Sequence, residues 1–385
     1  MSQQDSQFST KLIHAGEPTP RIHGSVSLPI FQTSTYLFAS HPDADDVRYG
    51  RWNNSPNHIA LHQKLAALEN AEDALVTSSG MSAIATLLMT FLTQGDHLLA
   101  QDKLYGGTHQ FLTTDLPRLG IEMDFITGND PESWAENLRE NTRVIYVEAM
   151  TNPTLEVADL ERVVDFAQEH DLISMIDNTF PSSFNFRPLE WGFDFSLHSG
   201  TKYLNGHADV IAGVIAGSQD LIEPVRQKLK IWGGTLNPHG CFLLHRGLKT
   251  LAVRMRQHNQ SALQLAEFLA NHPQVVRVNY PGLKDHPHHA RACRYFDGFS
   301  GMLSFEVKGG VEAAERFIKK VQLPLNAPSL GGVETLLTRP ATTSHVGVPP
   351  QKRRELGISD SLIRLSVGLE APEDLLKDFD QALST

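Results

Sequence analysis

The chain has 385 residues, and 44 acidic against 33 basic side chains give it a formal net charge of −11. An acidic chain without blocks of like charge does not suit nucleic acid or an anionic membrane surface, and no stretch approaches the roughly 18 apolar residues that a membrane span needs. Cys241 and Cys293 are too few for a disulfide framework and lack metal-ligand spacing, so no metal is expected, and a reducing, cytoplasmic setting is.

The N-terminal MSQQDSQFSTKLIHAGE lacks an apolar signal core. A chain of this length predicts two domains rather than one core. Residues 1–60, rich in Pro, Ser, Asn and His, read as an irregular arm that packs on other surfaces and reaches a neighbouring subunit. From about residue 60 helix and strand patterns alternate: HIALHQKLAALENA is helical, ALVTSS a strand, MSAIATLLMTFL helical. HLLAQ, MDFIT, RVIYVEA, LISMID, DFSLHS and VIAGVIAG read as strands, with a helix at LERVVDFAQEH. Short apolar strands separated by amphipathic helices imply a mostly parallel α/β sheet covered on both faces, with ligands beyond the carboxyl ends of the strands. A long helical stretch from FLLHRGLKTL to FLANH follows, then strands VVRVN, GMLSFEVKG and LIRLSVGLE and helices EAAERFIKKV and APEDLLKDFDQAL. This predicts a large domain over 61–245 and a smaller α+β domain over 246–385, with a soft boundary.

Polar residues gather at the strand ends. RVIYVEAMTNPT leads to Asn152, LISMID ends in Asp177 with Thr179 beyond, DFSLHSGTKY carries Ser199, Thr201 and Lys202, and SSGMSAI sets Gly80 and Met81 at a helix start. A helix N-terminus with two hydroxyls suits a phosphate. Asp177 at a dry strand end needs a cation or a proton, and a lysine among small polar groups suits a covalent link to an aldehyde. Phosphate, protonated ring nitrogen and aldehyde together describe pyridoxal 5'-phosphate. Taken singly, these residues are the ordinary material of caps and turns; the argument rests on their joint placement.

The segments YGR (49–51), SSGMSAI, LYGGTH, EAMTNPTLEV, DNTF, SGTKYLNGHADV, RGLKTLAVRM, SLGGVETL and LIRLSVGLE resemble, in order and over nearly the whole chain, the Cys/Met metabolism (transsulfuration) family of pyridoxal-phosphate enzymes. That family holds cystathionine γ-synthases, γ- and β-lyases, methionine γ-lyases and homoserine sulfhydrylases. The resemblance implies the type I pyridoxal-phosphate transferase fold and a homotetramer built as a dimer of dimers. It implies that Lys202 anchors the cofactor and moves protons, that Asp177 partners the ring nitrogen, and that Tyr105 stacks on the ring and assists proton transfer. Gly80, Met81, Ser199 and Thr201 would hold the phosphate, with Tyr49 and Arg51 supplied by the neighbouring subunit. Arg364 interrupts an apolar strand, where burial without an anion is costly; the resemblance makes it the holder of the substrate carboxylate, helped by Asn152 and Ser329.

The chain departs from the family pattern in YGRWNNSPN, with Trp52 and an extra residue before Pro56, and in Gly200 before Thr201. Gly107 stands where methionine γ-lyases carry cysteine. Thr338 stands where many γ-lyases carry glutamate, and it does not decide the reaction. The leading expectation is cleavage of a C–S bond in cystathionine or a related sulfur amino acid, as in a cystathionine γ-lyase. The alternatives are γ-replacement on an acylated homoserine and cystathionine β-cleavage. A subunit without catalysis would have lost Lys202 or Asp177, and both are present.

Overall fold

The computed structural model describes residues 6–37 and 47–384, so residues 38–46 of the expected 1–60 arm, with residues 1–5 and 385, lie outside the described chain. Seven strands, β1 (Asp73–Thr77), β2 (His97–Gln101), β3 (Glu122–Ile126), β4 (Thr142–Glu148), β5 (Ile173–Asp177), β6 (Phe195–Ser199) and β7 (Gly213–Gly217), form one sheet in the order β1-β7-β6-β5-β4-β2-β3. Strands β6, β5, β4, β2 and β3 run parallel; β7 is antiparallel to both β1 and β6. The mostly parallel sheet expected from the sequence is present, with its reversed strand inside it rather than at an edge.

The strands are apolar along their length because both faces are covered. On β4, Val144 and Tyr146 join the core on one face, and Ile145 and Val147 join the core on the other. The first helices are α1 (Phe8–His14), α2 (Pro56–Glu69), α3 (Gly80–Phe91) and α4 (Gly106–Gln110). Leu61 and Leu65 of α2 pack with Val147, whereas Ile84 and Leu87 of α3, with Ile222 and Val225 of the helix Gln219–Trp232, pack with Tyr146. Local sequence sets the helix starts. Ser55 caps α2 through the His58 N–H with Pro56 at the first helical position, and Ser79 caps α3 through the Ser82 N–H.

A second sheet contains β8 (Val275–Asn279), β9 (Met302–Val307), β10 (Leu325–Asn326), β11 (Leu336–Thr338) and β12 (Ile363–Ser366), in the order β10-β11-β12-β9-β8. All its pairings are antiparallel except β10 with β11. Phe305 of β9 meets Phe317 and Phe379 from the helices Gly310–Lys320 and Pro372–Leu383 that cover it. The helix Leu251–Asn271 joins the two layers. Leu251 and Met255 at its start belong to the core of the first sheet, and Leu265 and Leu269 near its end belong to that of the second.

Several elements differ from the sequence reading. The arm is not irregular throughout: it contains α1, whose Leu12 is buried, and α2 begins inside it at Pro56. The single long helical stretch is two helices, Pro238–Leu248 and Leu251–Asn271. At the break the Thr250 N–H and hydroxyl both donate to the Gly247 carbonyl, at 3.1 and 3.0 Å, so the last turn tightens to i→i−3 bonding. The helix Gln219–Trp232, which contains Pro224, and the three-residue β11 have no counterpart in that reading.

Candidate active site

Strands β4, β5 and β6 end side by side, and β7 brings β1 to them, because Gly213 pairs with both Thr77 and Ser199. A side chain at Gly213 would strike the Ser79 carbonyl and the Thr77 hydroxyl, so only glycine allows this approach. The first turn of α3 therefore lies against Ser199, and a Cβ built on Gly80 would come within 3.0 Å of the Ser199 Cβ. Ser79 satisfies the Ser82 N–H through its hydroxyl and the Ala83 N–H through its carbonyl, each at 3.0 Å. Among the described residues the Gly80 and Met81 N–H groups have no acceptor. Two free donors at a positive helix end make a cradle for an anion. Ser199 borders it, but the Thr201 hydroxyl is committed: it accepts the Ala212 N–H at 3.0 Å and donates to the Ala212 carbonyl at 3.2 Å.

Asp177 ends β5. Its Oδ1 accepts the Thr179 N–H at 2.9 Å and the Thr179 hydroxyl at 2.5 Å, and that hydroxyl in turn accepts the Ser199 N–H at 2.8 Å. Burial pushes the carboxyl group above the usual carboxylate range, with the Thr179 bonds acting in the opposite direction. Both bonds go to one oxygen, which leaves Oδ2 open for a protonated nitrogen.

Lys202 follows β6 in a turn in which its N–H bonds to the Ser199 carbonyl at 3.1 Å, and its Nζ donates to the Ser329 hydroxyl at 2.7 Å. Burial, then the charge of Arg364, lowers its pKa to about 8, so a share of the amine is neutral and nucleophilic at neutral pH. Ser329 has φ +95°, a backbone conformation that favours glycine, and such strain persists where surrounding structure imposes it. Two residues on, Gly331 (φ +74°) lies so close that a Cβ would come within 2.7 Å of the Tyr203 nitrogen.

Arg364 sits on β12, 6% exposed, and donates to Asn152 Oδ1 at 3.2 Å and to the Ser329 carbonyl at 3.1 Å. Among the described residues no carboxylate pairs with it, and burial lowers its pKa to about 10. A buried guanidinium held only by neutral oxygens is costly unless an anion arrives. Tyr105 precedes α4 and is 45% exposed; its N–H donates to Glu148 Oε1 at 2.6 Å. A Cβ on Gly107 would approach the Tyr105 ring to 2.7 Å and Met81 Sδ to 3.1 Å, so ring and cradle are neighbours.

The structure thus gathers Lys202, Asp177, Tyr105, Gly80, Met81, Ser199, Thr201, Arg364, Asn152 and Ser329 at one end of the large sheet. It does not bring Tyr49 and Arg51 there. Arg51 lies over the Tyr49 ring at 5.5 Å and bonds to the Lys230 carbonyl, at the end of the helix Gln219–Trp232. The sequence reading missed Glu148, the partner of Asp177 across β4 and β5. Its signal was the same as that of Asp177: an acidic residue closing an apolar strand.

The sequence profile of the Cys/Met metabolism PLP-dependent enzymes matches residues 9–384. The chain belongs to this family. Two relatives of this pyridoxal-phosphate enzyme come from Bacillus subtilis. The cystathionine beta-lyase is 41% identical over 384 residues, covering 100% of this chain and 98% of its own. The cystathionine gamma-lyase is 42% identical over 375 residues, covering 97% and 98%. The crystal structure of cystathionine gamma-lyase from Lactobacillus plantarum complexed with L-serine has a TM-score of 0.94 at 35% identity, covering 98% of this chain and 99% of that one. The free N–H pair, the half-bonded Asp177 and the unpaired Arg364 fit pyridoxal phosphate and an amino-acid carboxylate. Among the described residues no helix is long and apolar enough to cross a membrane, and no group of three His, Cys, Asp or Glu could hold a metal ion.

Proposed function

We propose that this enzyme cleaves a C–S bond of cystathionine or a related sulfur amino acid by elimination, releasing ammonia and an oxo acid. The carrying observation is Arg364, a buried cation without an anion, joined through Ser329 to the Lys202 amine. An α-carboxylate bound at Arg364 would bring the substrate's reacting carbons to that amine. The relatives' printed names, cystathionine beta-lyase and gamma-lyase, support the substrate class.

Pyridoxal phosphate, when bound, supplies an electron sink for the charge left on the substrate's α carbon. Gly80 and Met81 N–H groups and the Ser199 hydroxyl would hold its phosphate; Thr201 would join only by giving up the bond to Ala212. Asp177 would carry a negative charge beside the ring nitrogen and so keep a proton there. Tyr105 would pack its ring on the cofactor and keep water from that face. Lys202 would anchor the cofactor and, once freed by substrate, take a proton from the α carbon and return it further along, a transfer suited to an amine with a pKa of about 8.

Tyr49 and Arg51 would complete the phosphate site of a second copy of the chain. This is supported by the apolar surface beside Arg51, where Ile231 is 75% and Trp232 50% exposed. We propose a homotetramer assembled from such dimers. We place the enzyme in the cytoplasm, which suits its two unpaired cysteines.

Product analysis tests the reading. Purified enzyme given cystathionine should release ammonia with either cysteine and 2-oxobutyrate, from γ-cleavage, or homocysteine and pyruvate, from β-cleavage. Release of no oxo acid, together with brisk joining of cysteine to an acylated homoserine, would overturn it in favour of γ-replacement.

A further inference from the structure

Glu148 and Asp177 end adjacent parallel strands as register partners, so both side chains leave the sheet on the same face. Glu148 is 5% exposed, and among the described residues neither carboxyl group forms an ion pair. Two like charges so placed, with Glu148 buried, repel each other and favour a proton on one of them. Thr179 gives Asp177 two hydrogen bonds, whereas Glu148 receives one, from the Tyr105 N–H at 2.6 Å. The other titratable groups nearby are Tyr146, two residues back on β4, and His198 on β6. Burial, and then the charge of Asp177, pushes the Glu148 carboxyl group well above the usual range. With Asp177 committed to the cofactor's ring nitrogen, Glu148 is the member that stays neutral.

We propose that Glu148 is a positioning residue: standing neutral beside Asp177, its carboxyl group fixes the Tyr105 backbone and so the ring that Tyr105 lays against the cofactor. The proposal rests on the roles given above to Asp177 and Tyr105. Tyr105 needs such a hold. Its side chain is half in solvent, no side chain caps the short helix it precedes, and its N–H has no other acceptor. The backbone of Glu148 is itself held by Gln101, whose Oε1 accepts the Glu148 N–H at 2.8 Å.

The test uses the holoenzyme with Glu148→Ala and Glu148→Gln. Glutamine keeps the length, the neutrality and an oxygen for the Tyr105 N–H; alanine keeps none of these. Alanine should strip most of the visible circular dichroism of bound pyridoxal phosphate. It should also weaken cofactor retention about tenfold, the scale of one buried hydrogen bond, and lower kcat with KM little changed. Glutamine should stay within about twofold of wild type in all three, since only the titratable proton is exchanged. Glutamine as damaging as alanine would mean that the charge is needed, and the proposal falls; if alanine fails to fold, the glutamine result alone decides in the same way. Wild-type dichroism in a folded alanine variant also overturns it. A wild type that takes up no pyridoxal phosphate would instead sink the functional reading beneath it.

Discussion

Lys202 and Lys64 are both lysines whose pKa is lowered chiefly by burial, and they sit in opposite kinds of surroundings. Lys64 of α2 is 0% exposed, and its Nζ donates to the Leu12 carbonyl at 2.8 Å. Burial lowers its pKa to about 7, with Glu17 acting against that shift. Glu17 is the centre of a closed group: Lys249 reaches it at 2.7 Å, Arg21 pairs with it, and His245 stands at 3.5 Å. Lys202 is shifted less, to about 8, yet it bonds a hydroxyl and feels the charge of a guanidinium that has no carboxylate partner among the described residues. A depressed pKa therefore marks burial, and chemistry is marked by partners left unsatisfied around it. The N-terminal cluster is a clamp, and the strand-end cluster is a receptor.

The strongest way to break this contrast is by mutation of the receptor side. Lys202→Ala should lower turnover by about 10⁴-fold or more, because anchor and proton carrier go together. Arg51→Ala should also be nearly inactive alone. If Arg51 serves its neighbour, unfolding and reassembling the two variants together should restore roughly a quarter of wild-type activity, since half the dimers then own one intact site. Mixed assemblies confirmed by mass but no more active than their parents would put Arg51 in its own chain's service.

A smaller effect sharpens the contrast through pH. Only the neutral Lys202 amine can link to the cofactor, so covalent uptake of pyridoxal phosphate by apoenzyme should speed up about tenfold per pH unit below about 8 and level off above it. Stopped-flow absorbance follows this directly. A rate still climbing toward pH 10 would mean an ordinary lysine.

The smallest effect belongs to the clamp. Lys64→Met should change turnover by less than about twofold and stability at neutral pH by less than about 2 kcal/mol, the lost bond to Leu12 being offset by the ammonium no longer buried. Its pH dependence has a definite sign. With a folded pKa of about 7 against an ordinary 10.5, the unfolded chain binds more protons between those values, so this group's contribution to stability grows as pH rises through that window. Denaturant titrations at neutral and mildly alkaline pH should show that rise in wild type and less of it in the variant. A folded variant with turnover down tenfold would end the division into clamp and receptor.

Much of the receptor was legible in the sequence, because its parts stand where apolar strands stop. LISMID gives way to Asp177, DFSLHS to Lys202, and SSGM opens a helix with free N–H groups. Arg364 was legible as a charge inside an apolar strand. The commitment of Thr201 to Ala212 was not, since it depends on β7 returning antiparallel beside β6. Glu148 escaped because its meaning lies in its register with Asp177, a relation between strands set by the sheet order. The clamp was hidden for a similar reason. Nothing in HIALHQKLAALENA distinguishes Lys64 from a surface lysine until α1 and Glu17 cover it. The expected domain boundary looked soft because no linker composition marks it, and the helix just after it, Leu251–Asn271, lends side chains to both cores.

That shared helix, Leu251–Asn271, has a consequence for how the chain is made and lost. Its first turns are part of one core and its last turns part of the other, so neither sheet owns a complete set of covering residues without it. A protease nick or a gene split in this stretch would leave both fragments with apolar flanks in water, prone to clump. The ribosome must deliver it before the earlier strands are fully covered, and denaturant that loosens either end should pull on both, binding the halves into a single cooperative fate.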